Sequence, residues 1–359
     1  MGPRALRRRR AAAQLLHPRT ARPAADVVRA LLAVQAQDLR AARLALRARS
    51  AHLSAAAVDA ALTSERSLVV AWLARGTLHL VAAEDHGWLL GLTAPAQEAG
   101  ARRRLTQLGV TLDQAERAVR VIEGALAAAG PQTRAELAGA LENAGLPTQG
   151  QILPHLLAAA ARRGLTVLGP VRDDGTQAFA LTRDWLGAAA RLPLAGERRH
   201  TALAELARRW LAAHGPATAA DLAAWSGLPL RDARAGLAAI DARGVAGELV
   251  DLRDRPPAPR HIAPRLLGAF DPYLLGWKDR SFAVAPEHAA SVHPGGGVLR
   301  AVATDDGVVV GTWTLRRRPG GAAVRLEPFA EPLLPALARA LDAEAADVAW
   351  FEATDEPRP

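Results

Sequence analysis

The chain has 359 residues, with 45 Lys+Arg against 36 Asp+Glu, a formal charge of +9. It contains no Cys, which excludes disulfide frameworks, Cys-ligated zinc, iron–sulfur clusters and thiol nucleophiles. Half of the residues are hydrophobic but only 4% are aromatic, so a globular chain of two or three domains is expected, held by Ala- and Leu-lined helix contacts more than by large rings.

The positive charge is almost entirely Arg, with Lys278 the one lysine. A planar guanidinium forks onto phosphate and stacks on bases, so the basic excess points to nucleic acid. A GC-rich genome produces the same excess, and composition alone does not choose between the two. Four arginines at 7–10 precede an apolar run, 11–16, that contains Gln14 and stops at His17-Pro18. That run is too short for a secretory h-region of about 7–15 residues. No stretch approaches the roughly 18 uncharged apolar residues of a membrane span. A cytoplasmic protein without a membrane partner is expected.

Taken in chain order, the first predicted helices cover 5–16, 25–34, 39–49 and 54–65. Strands at 68–73 and 77–81 follow, separated by Ala74-Arg75-Gly76, and a helix over 83–92 closes the unit. A helix over 112–128 then ends at Gly130-Pro131, after which Thr133 can cap the next helix with Glu136 at the capping-box position. Ala144-Gly145-Leu146-Pro147 makes a tight turn into a third helix. A hairpin of 165–168 and 178–181 turns through Asp173-Asp174-Gly175. The same signals return at an offset of 85 residues, between Gly130 and Gly215 and again between Leu137 and Leu222. This second copy has a helix over 202–213, a Thr218 cap with Asp221, the turn Ser226-Gly227-Leu228-Pro229, and a hairpin near 244–252.

Helix, capped short helix, tight turn, helix and hairpin is the winged-helix order. A proline-rich break at 256–259 separates a β-like region, with runs at 300–304, 308–315 and 322–326 and a turn at Asp305-Asp306-Gly307. A helix over 333–346 ends the chain. The expected fold is mainly α with β (α+β). It has winged-helix units at 1–110, 111–190 and 196–255, and a small β domain with the final helix at 260–359.

Four motifs carry a resemblance. They are Leu32-Ala33-Val34-Gln35-Ala36-Gln37-Asp38, Arg75-Gly76-Thr77-Leu78-His79-Leu80, Phe270-Asp271-Pro272-Tyr273-Leu274-Leu275-Gly276 and Val310-Gly311-Thr312-Trp313. In this order they resemble the bacterial winged-helix DNA-binding-domain family that includes the AlkZ/YcaQ-like DNA glycosylases, over essentially the whole chain. The resemblance implies tandem winged helices and a β-barrel, C-shaped around DNA. It implies that Gln35 and Gln37 hold the hydrolytic water. Here the residue between them is Ala36, small for an apolar filler. Many members of the family are described only as DNA-binding, so a non-catalytic DNA-binding protein or regulator stands as the alternative to a glycosylase, and a protein-interaction scaffold as a third reading.

The implied chemistry is self-consistent. Glycosidases use a carboxylic acid to protonate the leaving group, but a guanine alkylated at N7 is already cationic and leaves neutral. Two amides can orient a water although they are poor bases. The expected substrate is therefore double-stranded DNA carrying N7-alkylated purines or crosslinks. A lyase would form a Schiff base through an amine, and Lys278 and the N-terminus are the amines available, so a monofunctional enzyme is expected. It should work as a monomer and without a cofactor. Gln35 and Gln37 lie on roughly opposite faces of a regular helix, so they can share one water only at a helix end or break. Asp38, a plausible N-cap, puts a break there.

Further candidates each have a plainer reading. His79 could support the site or be a hydrogen-bonded core residue. Asp271 could stabilise charge near the sugar or form an Asp-Pro turn. Arg75 could bind phosphate or be a solvated turn residue. Arg316, Arg317 and Arg318, before Pro319-Gly320-Gly321, read as a basic hairpin tip for phosphate or minor groove. The arginines at 7–10 and 102–104 read as solvated helix faces. No metal pattern such as His-Glu-x-x-His occurs, and Gly295-Gly296-Gly297 lacks the strand–loop–helix context and Lys of a phosphate loop.

Overall fold

The computed structural model describes residues 1–187, 194–318 and 321–353. By its internal contacts the chain forms two compact units. One comprises 1–58, 204–225 and 229–359, the other 59–203 and 226–228.

The first unit begins with α1 (Pro3–Ala13), which has Pro at its first turn, where the missing N–H costs nothing. Its arginines at 7–10 are not a solvated face. Arg8 forks onto Asp306 at 2.8 Å, Arg7 donates to the Asp306 carbonyl, and Arg9 approaches Asp251 at 3.7 Å. Arg10 is buried, donates to the Pro216 carbonyl and lies over the Trp277 and Phe282 rings at 4.8 and 4.5 Å. The expectation of solvation fails because these partners lie more than 200 residues downstream, where local patterning cannot see them. Next come α2 (Ala24–Leu31), stopped at Leu32 in a left-handed conformation (φ 72°), and α3 (Leu39–Arg47). The boundary to the second unit falls within α4 (Ala55–Thr63).

In the second unit, β1 (Leu68–Trp72) and β2 (Leu78–Ala82) pair antiparallel. They are joined through a 3-10 turn, Ala74–Gly76, in which Arg75 (φ 55°) and Gly76 (φ 71°) are both left-handed. The following helix, α5 (Ala83–Gln107), is far longer than the expected 83–92. It runs through Pro95, because the Ala- and Arg-rich residues beyond are helix formers and no stop signal comes before Leu108 and Gly109. Then follow α6 (Leu112–Ala129), α7 (Arg134–Asn143), α8 (Ile152–Arg162), and the antiparallel pair β3 (Thr166–Val171) and β4 (Gln177–Leu181). Thr133 and Glu136 form the anticipated capping box on α7. Val70 pairs with Leu168, so the two hairpins share one sheet in the order β2-β1-β3-β4. Short α9 (Thr182–Leu186) follows.

The chain returns to the first unit within α10 (Gly196–His214). Next come α11 (Ala219–Ser226), α12 (Leu230–Ala238), and the antiparallel pair β5 (Ala242–Ala246) and β6 (Leu249–Leu252). Thr218 and Asp221 exchange the reciprocal capping bonds, at 3.0 and 3.1 Å. Helix, capped helix, helix and hairpin are thus present in both copies of the repeat.

The C-terminal part holds β7 (Arg265–Leu267), α13 (Pro272–Leu275), α14 (Ala289–Val292), β8 (Val302–Asp305), β9 (Val308–Arg318), β10 (Gly321–Pro328) and α15 (Pro335–Ala353). Its strands form an open antiparallel sheet, β7-β8-β9-β10. The expected β-barrel-like closure is therefore corrected: among the described residues no barrel closes. Four strands, one of them three residues long, are too few to curl shut around a filled interior. Instead α15 covers a face of the sheet, and Leu44, Leu266, Trp313, Leu341, Val348 and Phe351 form the core beneath it. Large rings also matter more than composition suggested. Tyr273, Trp277, Phe282 and His214 stack edge to face at 5.0–6.1 Å.

Candidate active site

Gln35, Ala36 and Gln37 lie in the break between α2 and α3, with Val34–Gln35 extended. In extended backbone, residues i and i+2 share a face and i+1 points the other way. Ala36 accordingly faces the core, 2% exposed, while Gln35 is half-buried and Gln37 exposed. The two carboxamides meet: Gln35 Nε2 donates to Gln37 Oε1 at 2.6 Å. A small residue at 36 thus lets the segment press onto the core and hold both amides outward.

The downstream helix is firmly anchored. Asp38 caps α3, accepting from Arg40 N at 2.9 Å and Ala41 N at 3.3 Å. Arg40 reaches Glu352 at 2.8 Å. Arg47, buried, donates to Asp347 at 2.7 Å, Glu344 at 3.0 Å and the Leu266 carbonyl at 2.6 Å. Just past the helix, Arg49 pairs with Asp271. Sequence reading missed Arg47 and Arg49. The one available signal was that Arg47 follows Leu44 by three residues, on the same apolar stripe. Beside this segment the first unit has a cavity of about 670 Å³, lined by Asp38, Arg40, Leu44, Phe270, Trp313 and Glu327 among others.

Other sequence candidates fall differently. Asp271 has no exposed surface; both its oxygens accept from Arg49, and it caps α13 through Tyr273 N at 2.8 Å. Those contacts account for a turn-forming, charge-paired residue and give no support to a role beside the sugar. His79 is buried in β2, with Nδ1 3.0 Å from the Thr77 carbonyl oxygen. Burial, aided by the Arg75 charge, pulls its pKa down to about 3, so the ring is neutral at physiological pH. Arg75 is exposed at its strained turn, and Gly227 packs so closely that a Cβ there would lie 3.1 Å from the Arg75 amide nitrogen.

Arg316 is exposed on β9. Arg317 and Arg318 continue that strand, opposite Ala322 and Gly321. The side chains of Arg317 and Arg318, and residues 319–320, lie outside the described residues. Among the described residues no group of three or more His, Asp or Glu could hold a metal ion, and no helix is long and apolar enough to cross a membrane.

Comparison with known proteins defines the class. A family model described as "DNA glycosylase AlkZ-like" matches residues 28–351. An "Interstrand DNA cross-link repair glycosylase" from Streptomyces sahachiroi is 31% identical over 327 residues, covering 84% of this chain and 85% of that protein. The solved structure of Streptomyces sahachiroi DNA glycosylase AlkZ superposes with a TM-score of 0.78 at 27% identity, over 97% of this chain and 96% of that one. Fold and sequence together mark a DNA glycosylase, an enzyme that hydrolyses N-glycosyl bonds. The chain belongs to the AlkZ-like DNA glycosylase family.

Proposed function

We propose that the chain excises cationic, N7-alkylated purines from double-stranded DNA by a water held between Gln35 and Gln37. The observation that carries this reading is the 2.6 Å contact between two carboxamides at an exposed helix break. The hydrogen bond from Gln35 fixes the orientation of the Gln37 amide. A carboxamide oxygen has two lone pairs, so Gln37 Oε1 can accept from Gln35 and from a water together. A water donating to the oxygens of both glutamines keeps one lone pair for the sugar C1′.

The C1′–N9 bond breaks and its electron pair neutralises the cationic base, while the water oxygen bonds to C1′ and then gives up a proton to solvent. Neutral amides are weak bases, which restricts the site to leaving groups that need no protonation. The relative from Streptomyces sahachiroi is described as a cross-link repair glycosylase. Carried to this chain, unhooking a crosslink is the same hydrolysis at a purine tethered to the other strand.

The two helix–helix–hairpin segments act in this reading as winged helices on the duplex, with Arg75, Arg316, Arg317 and Arg318 on phosphates. Both amides come from one chain, so a monomer suffices. The test is base release from duplexes carrying N7-methylguanine, uracil or unmodified guanine. Release of N7-methylguanine alone is expected; equal release of uracil, or no release at all, contradicts the reading.

A further inference from the structure

The second unit holds a pocket of about 350 Å³ between β1, α5 and α8, lined by Trp72, Arg75, Gln97, Arg104, His155 and Arg162 among others. Arg162, the last residue of α8, is only 7% exposed. Its Nε is buried without a hydrogen-bond partner, and among the described residues no carboxylate pairs with it. Arg47 and Arg49 are buried with Nε likewise unbonded, but each sits on carboxylates through its terminal nitrogens. Glu98 on α5 is the acid whose field reaches Arg162, and it is bonded to Arg102 at 2.8 Å. Arg104 donates to the neutral Gln151 amide.

Arg162 and Arg104 therefore bring positive charge to the pocket, and among the described residues no carboxylate is bonded to either. A buried guanidinium with no carboxylate bonded to it is costly to the fold unless an anion sits beside it. Burial, and after it the charges of Arg104 and Arg162, hold the pKa of His155 below the ordinary imidazole value.

We propose that this pocket binds a phosphate group, specifically a backbone phosphodiester of the DNA, between Arg162, Arg104 and Arg75. Arginine forks are the side chains best matched to phosphate oxygens. Trp72, half-buried at the edge, supplies an apolar wall on which the adjoining sugar or base can rest. The identification of the anion rests on the glycosylase reading above; the anion site itself does not. A phosphate contact carries no base information, so it adds affinity and register, not lesion choice.

The test follows the His155 ring by NMR in the full chain, with inorganic phosphate or an unmodified 12-base-pair duplex added, and measures duplex affinity against salt. The bound anion offsets the arginine field, so duplex DNA is expected to raise the His155 pKa by about half a unit or more. Arg162→Gln and Arg104→Ala are each expected to weaken duplex binding and to lower the salt slope by about one. Arg104 is half-buried and contacts only a neutral amide, so its variant serves if Arg162→Gln does not fold. A response to inorganic phosphate alone, with none to duplex, overturns the DNA assignment. No response to either, with an unchanged salt slope in Arg104→Ala, overturns the site. Loss of base release in a protein whose His155 still answers to DNA counts against the catalytic reading and leaves this one standing.

Discussion

Arg49 grips Asp271 with two parallel hydrogen bonds, 2.7 and 2.9 Å long, and neither side chain has any exposed surface. The pair joins the end of α3 to the start of α13, and Gln14 Oε1 accepts a third bond from Arg49 at 3.0 Å. A buried ion pair of this kind adds little over a hydrophobic substitute, but removing one partner strands the other. Asp271→Ala should therefore lower stability by about 3–5 kcal/mol, read as a fall in the urea midpoint. A loss under 1 kcal/mol would show that the pair is not what holds these elements together.

Asp38 couples local stability to the site. Its carboxylate satisfies two backbone N–H groups at the start of α3, one residue after Gln37. Asp38→Ala should cost about 1 kcal/mol and slow base release several-fold, because the amide pair loses the fixed end of its loop. Asp38→Asn, which keeps a capping oxygen, should restore both. Urea unfolding and single-turnover release read the two effects separately.

Arg47 ties α3 to α15 through Asp347 and Glu344. Arg47→Met leaves those carboxylates short of a partner and should destabilise the first unit by about 3 kcal/mol. Faster amide exchange in α15 by mass spectrometry would mark the loss. Unchanged protection there would assign the anchoring to Arg19, which also contacts both acids.

Three buried histidines make the fold acid-sensitive. Burial lowers His79 and His214 to about 3 and His86 to about 4. Their folded pKa values lie below the unfolded value near 6.5, so between about pH 6.5 and 3–4 the unfolded chain binds more protons. Stability is thus fully present above pH 6.5 and falls as pH drops through that window, by up to about 1.4 kcal/mol per pH unit for each histidine. Urea midpoints at pH 7.5, 6 and 5 should decline in that order. A flat profile would contradict the neutral burial of these rings.

What was legible in the sequence was local. The caps at Thr133 and Thr218 depend on residues three apart and lie where expected. The break at 35–38 was signalled by Asp38 beside a helical pattern. The meeting of the two amides was not, because it needs extended backbone with Ala36 turned into the core. Long-range partners were also invisible: Arg8 on Asp306 and Arg49 on Asp271 are separated by 298 and 222 residues. Helix α5 outran its expected end at 92 because Pro95 does not stop it: there the chain only loses one donor. The barrel expectation came from family likeness, and the strand count in this chain does not close one.

The account stands most directly on the release of free N7-methylguanine from duplex DNA by wild type, Gln35→Ala and Gln37→Ala, measured in single turnover with duplex affinity alongside. Each variant should bind DNA as the wild type does and lose at least about a hundredfold in release rate, the scale of a lost positioning group. Full release by both variants would contradict the claim that these two amides hold the attacking water.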